Sequence, residues 1–168
     1  MATRNEWLAL AERCEKATGP DREIDAAIMF DAFAVPVGQM SDGGPRGYLW
    51  PSDNPSWSFG IRFPGKDRDW FAKQRQGDEK ETLLIERDGA LVLMNDLRVP
   101  ALTASLDAIT ALIGREFPQF ELHISFVAEK CWAWLYAPGL GRGVGTAVTE
   151  ALARTGAFCR AMAARAEA

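Results

Sequence analysis

The last third of the chain constrains the fold most, because residues 103–168 alternate between helical and extended patterns. Apolar residues recur at steps of three and four over residues 104–115, which predicts a helix. Two extended segments follow, at residues 121–127 and 131–137. A second helical pattern covers residues 146–165. The order helix, strand, strand, helix favours an α+β fold with antiparallel strands.

The second extended segment is apolar on both faces. Trp132, Trp134 and Tyr136 lie on one face, and small or aliphatic residues alternate with them on the other. A strand that is apolar on both sides is typical of a sheet with helices above and below it. We therefore predict a three-layer alpha-beta-alpha sandwich, with a mainly antiparallel sheet covered by helices.

Two helices are predicted at the N-terminus. Residues 5–16 carry an apolar stripe that includes Trp7, Leu10 and Cys14. The segment 18–21, Thr-Gly-Pro-Asp, ends this helix and begins the next, since proline is tolerated in a first turn and acidic residues favour the helix N-terminus. The pair is expected to form a helical hairpin.

The middle of the chain differs from both ends. We predict one domain over residues 1–168, into which residues 36–80 are inserted as a long segment rich in aromatic residues, proline and glycine. Within it only residues 57–63 alternate as a strand does, so the rest is predicted to be loop. Residues 82–95 are predicted to form a β-hairpin, because Asp88-Gly89 supplies the backbone conformation of a tight turn.

Composition excludes several classes of protein. Among the 168 residues, acidic and basic side chains are interspersed and the net charge is −4, so no extended nucleic-acid surface is expected. No apolar run is long enough for a membrane span. A single histidine and three dispersed cysteines predict neither a metal site nor a cofactor. Unpaired, apolar cysteines and the lack of a signal peptide favour a cytoplasmic protein.

Three segments resemble the phage alpha-beta-alpha sandwich family, small proteins of tailed phages and prophages with no known function. They are residues 8–26, residues 103–108 and the alanine-rich residues 159–166. The resemblance covers about half of the chain and implies a sandwich fold and an origin in an infected bacterial host. It implies no catalytic residues.

A glycine-rich stretch lies between the last predicted strand and the last predicted helix. Residues 139–145 read Gly-Leu-Gly-Arg-Gly-Val-Gly, and backbone amides before a helix bind phosphate groups well. Gly141, Arg142 and Gly143 are therefore candidate ligand-binding residues. The longer stretch of residues 135–152 also resembles the pyrophosphate loop of N-acetyltransferases, which bind acetyl-CoA. A flexible connector is the third interpretation.

A second candidate site lies in the aromatic insertion, where cationic and aromatic side chains are mixed. Its candidate ligand-binding residues are Arg46, Tyr48, Trp50, Trp57, Arg62 and Arg68. Such a mixture suits base stacking with phosphate pairing, or a protein interface, or aromatic residues that only hold a loop in place. Trp132, Trp134 and Tyr136 are open to two interpretations as well: a stacking platform for a base, or a sheet face covered by a helix.

These patterns predict a phage-encoded accessory protein that acts by non-enzymatic binding. The sharper hypothesis is that it sequesters a small nucleotide signal of host antiviral defence. One alternative is a protein-interaction module that docks on a host or virion protein. Another is a degenerate acetyl-CoA-binding protein related to acetyltransferases. The sequence also leaves a homo-oligomer open.

Overall fold

The structure is a computed structural model that describes residues 2–33, 35–37, 47–49, 58–74, 82–87, 89–95 and 99–168. Contacts within the chain divide it into two compact units. The first unit spans residues 29–99, and the second joins residues 2–28 to residues 100–168. Each unit contains its own antiparallel sheet.

The first unit is built on a five-stranded sheet with the order β1-β2-β3-β5-β4. Its strands are β1 (Val35–Val37), β2 (Gly47–Leu49), β3 (Ser58–Pro64), β4 (Thr82–Arg87) and β5 (Ala90–Asn95). The predicted hairpin is confirmed as β4 and β5, which pair from Thr82 opposite Asn95 to Arg87 opposite Ala90. Gly89 has a φ of 66° in the turn between them, a conformation that glycine adopts without steric cost.

Helix α3 (Arg68–Gln74) lies where the sequence predicts only loop, so that prediction is wrong here. Asp67 precedes it and accepts a hydrogen bond of 2.7 Å from the backbone N–H of Trp70, as an N-cap residue does. Phe71 then packs with Leu84 and Leu91 in the core of the first unit. Seven residues hold too few apolar repeats for periodicity to reveal a helix.

The second unit contains most of the helical residues. Its helices are α1 (Arg4–Lys16), α2 (Arg22–Phe33), α4 (Leu106–Glu116) and α5 (Glu150–Arg165), of which α2 continues into the first unit. Three of them begin after a hydroxyl side chain that caps the helix: Thr3 before α1, Ser105 before α4 and Thr149 before α5. Because Thr149 is the cap, α5 begins later than its predicted start at residue 146.

The sheet of the second unit has the order β6-β7-β8. Its strands are β6 (Glu121–Val127), β7 (Lys130–Ala137) and β8 (Gly141–Ala147). Helix α5 packs across β8 and β7, and α1 packs beside it against both α5 and β8. Ala133, Leu135 and Phe158 are buried in the core between this sheet and its helices.

The predicted α+β class is confirmed, with mainly antiparallel sheets and a helical N-terminal region. The three-layer order of the sandwich stays a prediction. The predicted order helix, strand, strand, helix for the last third is wrong in one respect. A third strand, β8, lies between β7 and the last helix, in the stretch that the sequence predicts to be a glycine-rich loop.

Candidate functional site

The glycine-rich stretch is a strand in close contact with a helix, and not the phosphate-binding loop that its composition predicts. A β-carbon on Gly143 would lie 2.9 Å from the backbone nitrogen of Ala161, and one on Gly145 would lie 2.5 Å from that of Ala157. These two glycines therefore allow α5 to lie directly on β8. Since Thr149 caps α5 and the glycines precede it within a strand, the loop expected of an acetyltransferase is not formed here.

Pairing of the strands separates the sheet into two faces. Ala133 lies opposite Gly145 and Leu135 lies opposite Gly143, so these residues share the face that α5 covers. Side chains alternate along a strand, and Trp132, Trp134 and Tyr136 consequently lie on the other face. We call this second surface the aromatic face. Its members form three rows across β6, β7 and β8: Ser125, Trp132 and Thr146; His123, Trp134 and Val144; Glu121, Tyr136 and Arg142.

The rings of the aromatic face are regularly arranged. The indoles of Trp132 and Trp134 are nearly parallel, with an interplanar angle of 17° and 6.0 Å between ring centroids. His123 meets Tyr136 edge to face at 5.5 Å. Both indoles are half-buried, and the Tyr136 ring is exposed. The face thus carries partly accessible aromatic rings, which are suited to contact with a planar group.

The polar residues of the aromatic face have mixed charge. His123 lies 3.8 Å from the carboxylate of Glu121, and both side chains are largely exposed. Arg142 is exposed on β8, across the sheet from Tyr136. At the opposite end, the hydroxyl oxygen of Thr146 is buried and has no hydrogen-bond partner among the described residues. The face can therefore stack a ring and place one guanidinium beside it.

Of the sequence-predicted site residues, Gly141 and Arg142 lie in this region and are exposed, whereas Gly143 is buried under α5. Arg46, Trp50 and Trp57 lie outside the described residues. Tyr48 and Arg62 lie in strands β2 and β3, and their side chains belong to the part of the chain that is not described. Whether the aromatic insertion binds a ligand therefore stays a prediction.

Arg68 is the remaining predicted residue, and it begins α3 in the first unit. It lines an open depression of about 200 Å³ whose other described lining residues are Lys66, Asp67, Glu86, Gly89, Ala90 and Leu91. The Lys66 ammonium lies 4.8 Å from the centroid of the Trp70 ring. Its described lining contains two cationic side chains, Lys66 and Arg68, and two carboxylates, Asp67 and Glu86.

Within the described residues, no three His, Cys, Asp or Glu side chains are grouped so that they could hold a metal ion. No helix in that part of the chain is long and apolar enough to cross a membrane. Among the described residues, Asp25 is the most buried carboxylate, and burial raises its pKa. Its oxygens accept hydrogen bonds from Arg22 and from the backbone of Thr103, so it connects two segments of the second unit.

Apart from Arg142, the residues of the aromatic face are not among the candidate ligand-binding residues predicted from the sequence. Its signal was present in the sequence as the alternation of Trp132, Trp134 and Tyr136, but a face covered by a helix gives the same pattern. The glycines of β8 show that α5 lies on the opposite face. Comparison of the chain with protein-family models, with curated proteins and with solved structures gives no match.

Proposed function

We propose that the protein is a non-enzymatic binding protein that holds a small ligand of nucleotide type on its aromatic face. The observation that carries this proposal is the pair of nearly parallel indoles, Trp132 and Trp134, on the side of the sheet away from α5. A nucleobase is planar, and any of the bases can stack on an aromatic ring.

Stacking supplies affinity and the charged neighbours supply orientation. Base–aromatic stacking contributes about 1–3 kcal/mol per base. The guanidinium of Arg142 is exposed at the Tyr136 end of the face, and arginine pairs with phosphate oxygens through charge-assisted hydrogen bonds. A base on the indoles and a phosphate near Arg142 would use both features together. Glu121 at the same end disfavours a ligand that carries several phosphates there.

The resemblance to the phage sandwich family supplies the biological setting of the proposal. In an infected bacterial cell, a protein that binds a nucleotide signal lowers its free concentration and weakens the defence that depends on it. This role needs affinity and abundance but no catalytic group. The docking of a host or virion protein on the aromatic insertion remains the alternative, and its residues lie mostly outside the described part of the chain.

Native mass spectrometry of protein purified from bacteria is the first test, recorded before and after mild denaturation. Release of a small molecule on unfolding would support the proposal and would give the mass of the ligand. If the protein carries nothing, nucleoside monophosphates and cyclic dinucleotides should be titrated while tryptophan fluorescence is recorded. We expect quenching, because a base that stacks on Trp132 and Trp134 changes the environment of their indoles.

Single substitutions test whether the ligand binds to the aromatic face. Trp134→Leu should weaken binding about tenfold or more, the equivalent of losing one stacking contact. Arg142→Ala should weaken binding of a nucleoside monophosphate more than binding of the nucleoside. Arg115→Ala, a change of another exposed arginine on α4, is the matched control and should have no effect. Binding that survives Trp134→Leu unchanged, or no binding by any of these nucleotides, would refute the proposal.

A further inference from the structure

Strand β6 forms one edge of the three-stranded sheet. Among the described strands it pairs with β7 alone, so the backbone N–H and C=O groups along its other side have no strand partner there. The opposite edge, β8, is contacted by α1 and α5. Unpaired edge groups are a template for another strand, and proteins usually protect them with charges, proline or a covering element.

The C-terminal end of β6 is unusually apolar for an exposed edge. Phe126 is 68% exposed and Val127 is 58% exposed, the two largest values among the exposed large hydrophobic residues of the described chain. Both lie next to the turn at Ala128, which has a φ of 54°. Neither a lysine nor a proline occurs within β6 to block pairing. An apolar, unblocked edge of this kind favours association with a further strand.

The pattern of residues around His123 is self-complementary. Residues 120–126 read Phe-Glu-Leu-His-Ile-Ser-Phe, with apolar residues one and three positions to either side of His123 and polar residues two positions away. Antiparallel pairing with a second copy about His123 therefore places Phe120 opposite Phe126 and Leu122 opposite Ile124. Every cross-strand pair then joins residues of the same polarity on the same face, which is what sets strand register.

Charges agree with this register. In a pair of strands centred on His123, Glu121 of one copy lies opposite Ser125 of the other and diagonal to the second His123. Diagonal neighbours in an antiparallel pair are within reach of long side chains. Glu121 and His123 are both largely exposed, so the carboxylate of each copy is available to the imidazole of the other. The pairing places no acidic side chain directly opposite another.

We propose that the protein forms a symmetric homodimer in which the β6 strands of two copies pair antiparallel about His123. The two three-stranded sheets then become one sheet of six strands, and the two-fold axis runs perpendicular to it. Phe126 becomes covered by Phe120 of the other copy, and the aromatic faces of both copies lie on the same side. A single strand pair buries an interface at the small end of the range for homodimers, so the dimer is expected to dissociate on dilution.

Sedimentation velocity over a wide range of protein concentration tests the proposal. We expect the full-length protein to shift from monomer to dimer as its concentration rises. His123→Lys places two ammonium groups opposite each other at the axis and should weaken dimerisation about tenfold or more. Val148→Lys is the control, because it adds a lysine at another exposed position that lies outside β6. Circular dichroism confirms that both variants are folded.

A cysteine at the axis tests the register. His123→Cys should form a disulfide-linked dimer under mild oxidation, because residue 123 of one copy lies opposite residue 123 of the other copy. Ser125→Cys should not, since it lies opposite Glu121. The wild-type protein is the control, and its three cysteines are buried. A protein that stays monomeric at every concentration, a dimer that His123→Lys leaves intact, or cross-linking through position 125 instead of 123 would each overturn the proposal.

Discussion

Gly145 lies directly beneath Ala153, so close that a β-carbon on Gly145 would overlap the carbonyl oxygen of Ala153. One turn further along α5, Gly143 has the same relationship to Ala157. On the helix side, Gly156 lies against the α-carbon of Gly145 and the β-carbon of Cys14. The contact between β8 and α5 is therefore made by small residues on both elements, and this explains why residues 143 and 145 are glycine.

Replacement of Gly145 by alanine should destabilise the protein. The added β-carbon meets backbone atoms of α5, which cannot move without separating the helix from the sheet. Overpacking of this kind costs about 1–3 kcal/mol or more in the free energy of unfolding, measured by urea denaturation. Gly19→Ala is the control, because nothing lies within 4 Å of the new β-carbon, and it should change stability by less than about 0.5 kcal/mol. Equal stability of the two variants would contradict the packing described here.

Asp25 should give the protein a characteristic dependence on pH. Burial raises the pKa of this carboxyl above its ordinary value, against the opposing effects of the Thr103 backbone and Arg22. The folded protein then binds more protons than the unfolded chain between the ordinary and the raised pKa. Stability from this group is consequently present at low pH and lost as the pH rises through that window.

Asp25→Asn removes that titration while it keeps an oxygen that can accept from Thr103. We therefore expect the stability of the variant, relative to the wild type, to increase as the pH rises above the ordinary pKa of an aspartic acid side chain. Urea denaturation of both proteins at a series of pH values measures the difference. A difference that is independent of pH, or one that decreases, would show that the Asp25 pKa is not raised.

The ion pair between Asp31 and Arg87 should stabilise the first unit. The guanidinium donates from Nε to one carboxylate oxygen at 2.7 Å and from Nη2 to the other at 2.5 Å, and Asp31 is almost fully buried. Asp31→Ala leaves Arg87 without this partner and should cost about 2–4 kcal/mol, somewhat less than a fully buried pair because Arg87 is partly exposed. Arg87→Lys should be intermediate, since an ammonium cannot form the paired contact.

The matched control is Asp69→Ala on α3, where the carboxylate is exposed and the expected change is within about 0.5 kcal/mol. Thermal denaturation of the four proteins provides the comparison. A loss for Asp31→Ala no greater than that for Asp69→Ala would mean that the pair contributes nothing.

The three cysteines should be unreactive in the folded protein. Cys14, Cys131 and Cys159 are all buried, and burial raises the pKa of the Cys131 thiol, with a further contribution from Glu150. A thiol that is inaccessible and protonated reacts slowly with disulfide reagents. We expect no rapid reaction with an aromatic disulfide reagent in buffer and reaction of three thiols after unfolding. Rapid reaction of one thiol in the native protein would identify a segment that opens locally.

Helices and strands with strong periodicity were predictable within a few residues. The stripe of Trp7, Leu10 and Cys14 predicts α1, and all three side chains are buried. Strand β6 matches its predicted span, and Asp88-Gly89 correctly predicts the β4–β5 hairpin. These elements could be predicted because apolar periodicity and turn residues act over a few neighbouring positions.

Sequence patterns alone predict only part of the aromatic face. Alternation places Trp132, Trp134 and Tyr136 together, but it does not reveal which face of the strand is covered. The sequence also predicts a ligand loop at Gly141–Gly143, because glycine has a low strand propensity and a high frequency in turns. The packing role of Gly143 and Gly145 is seen only in the tertiary structure, where α5 lies over β8.

By itself, the sequence determined the α+β class, the positions of the strongly periodic helices and strands, and the burial of the cysteines, because these follow from local propensity and apolar spacing. Only the tertiary structure decided that residues 141–147 form a strand, that α5 covers one particular face of β7, and that the tryptophans lie on the other. The physical reason is that a helix approaches a strand this closely only where both lack bulky side chains. That requirement pairs Gly143 and Gly145 with alanines of the following helix, and the apolar periodicity of either element alone does not reveal such a contact.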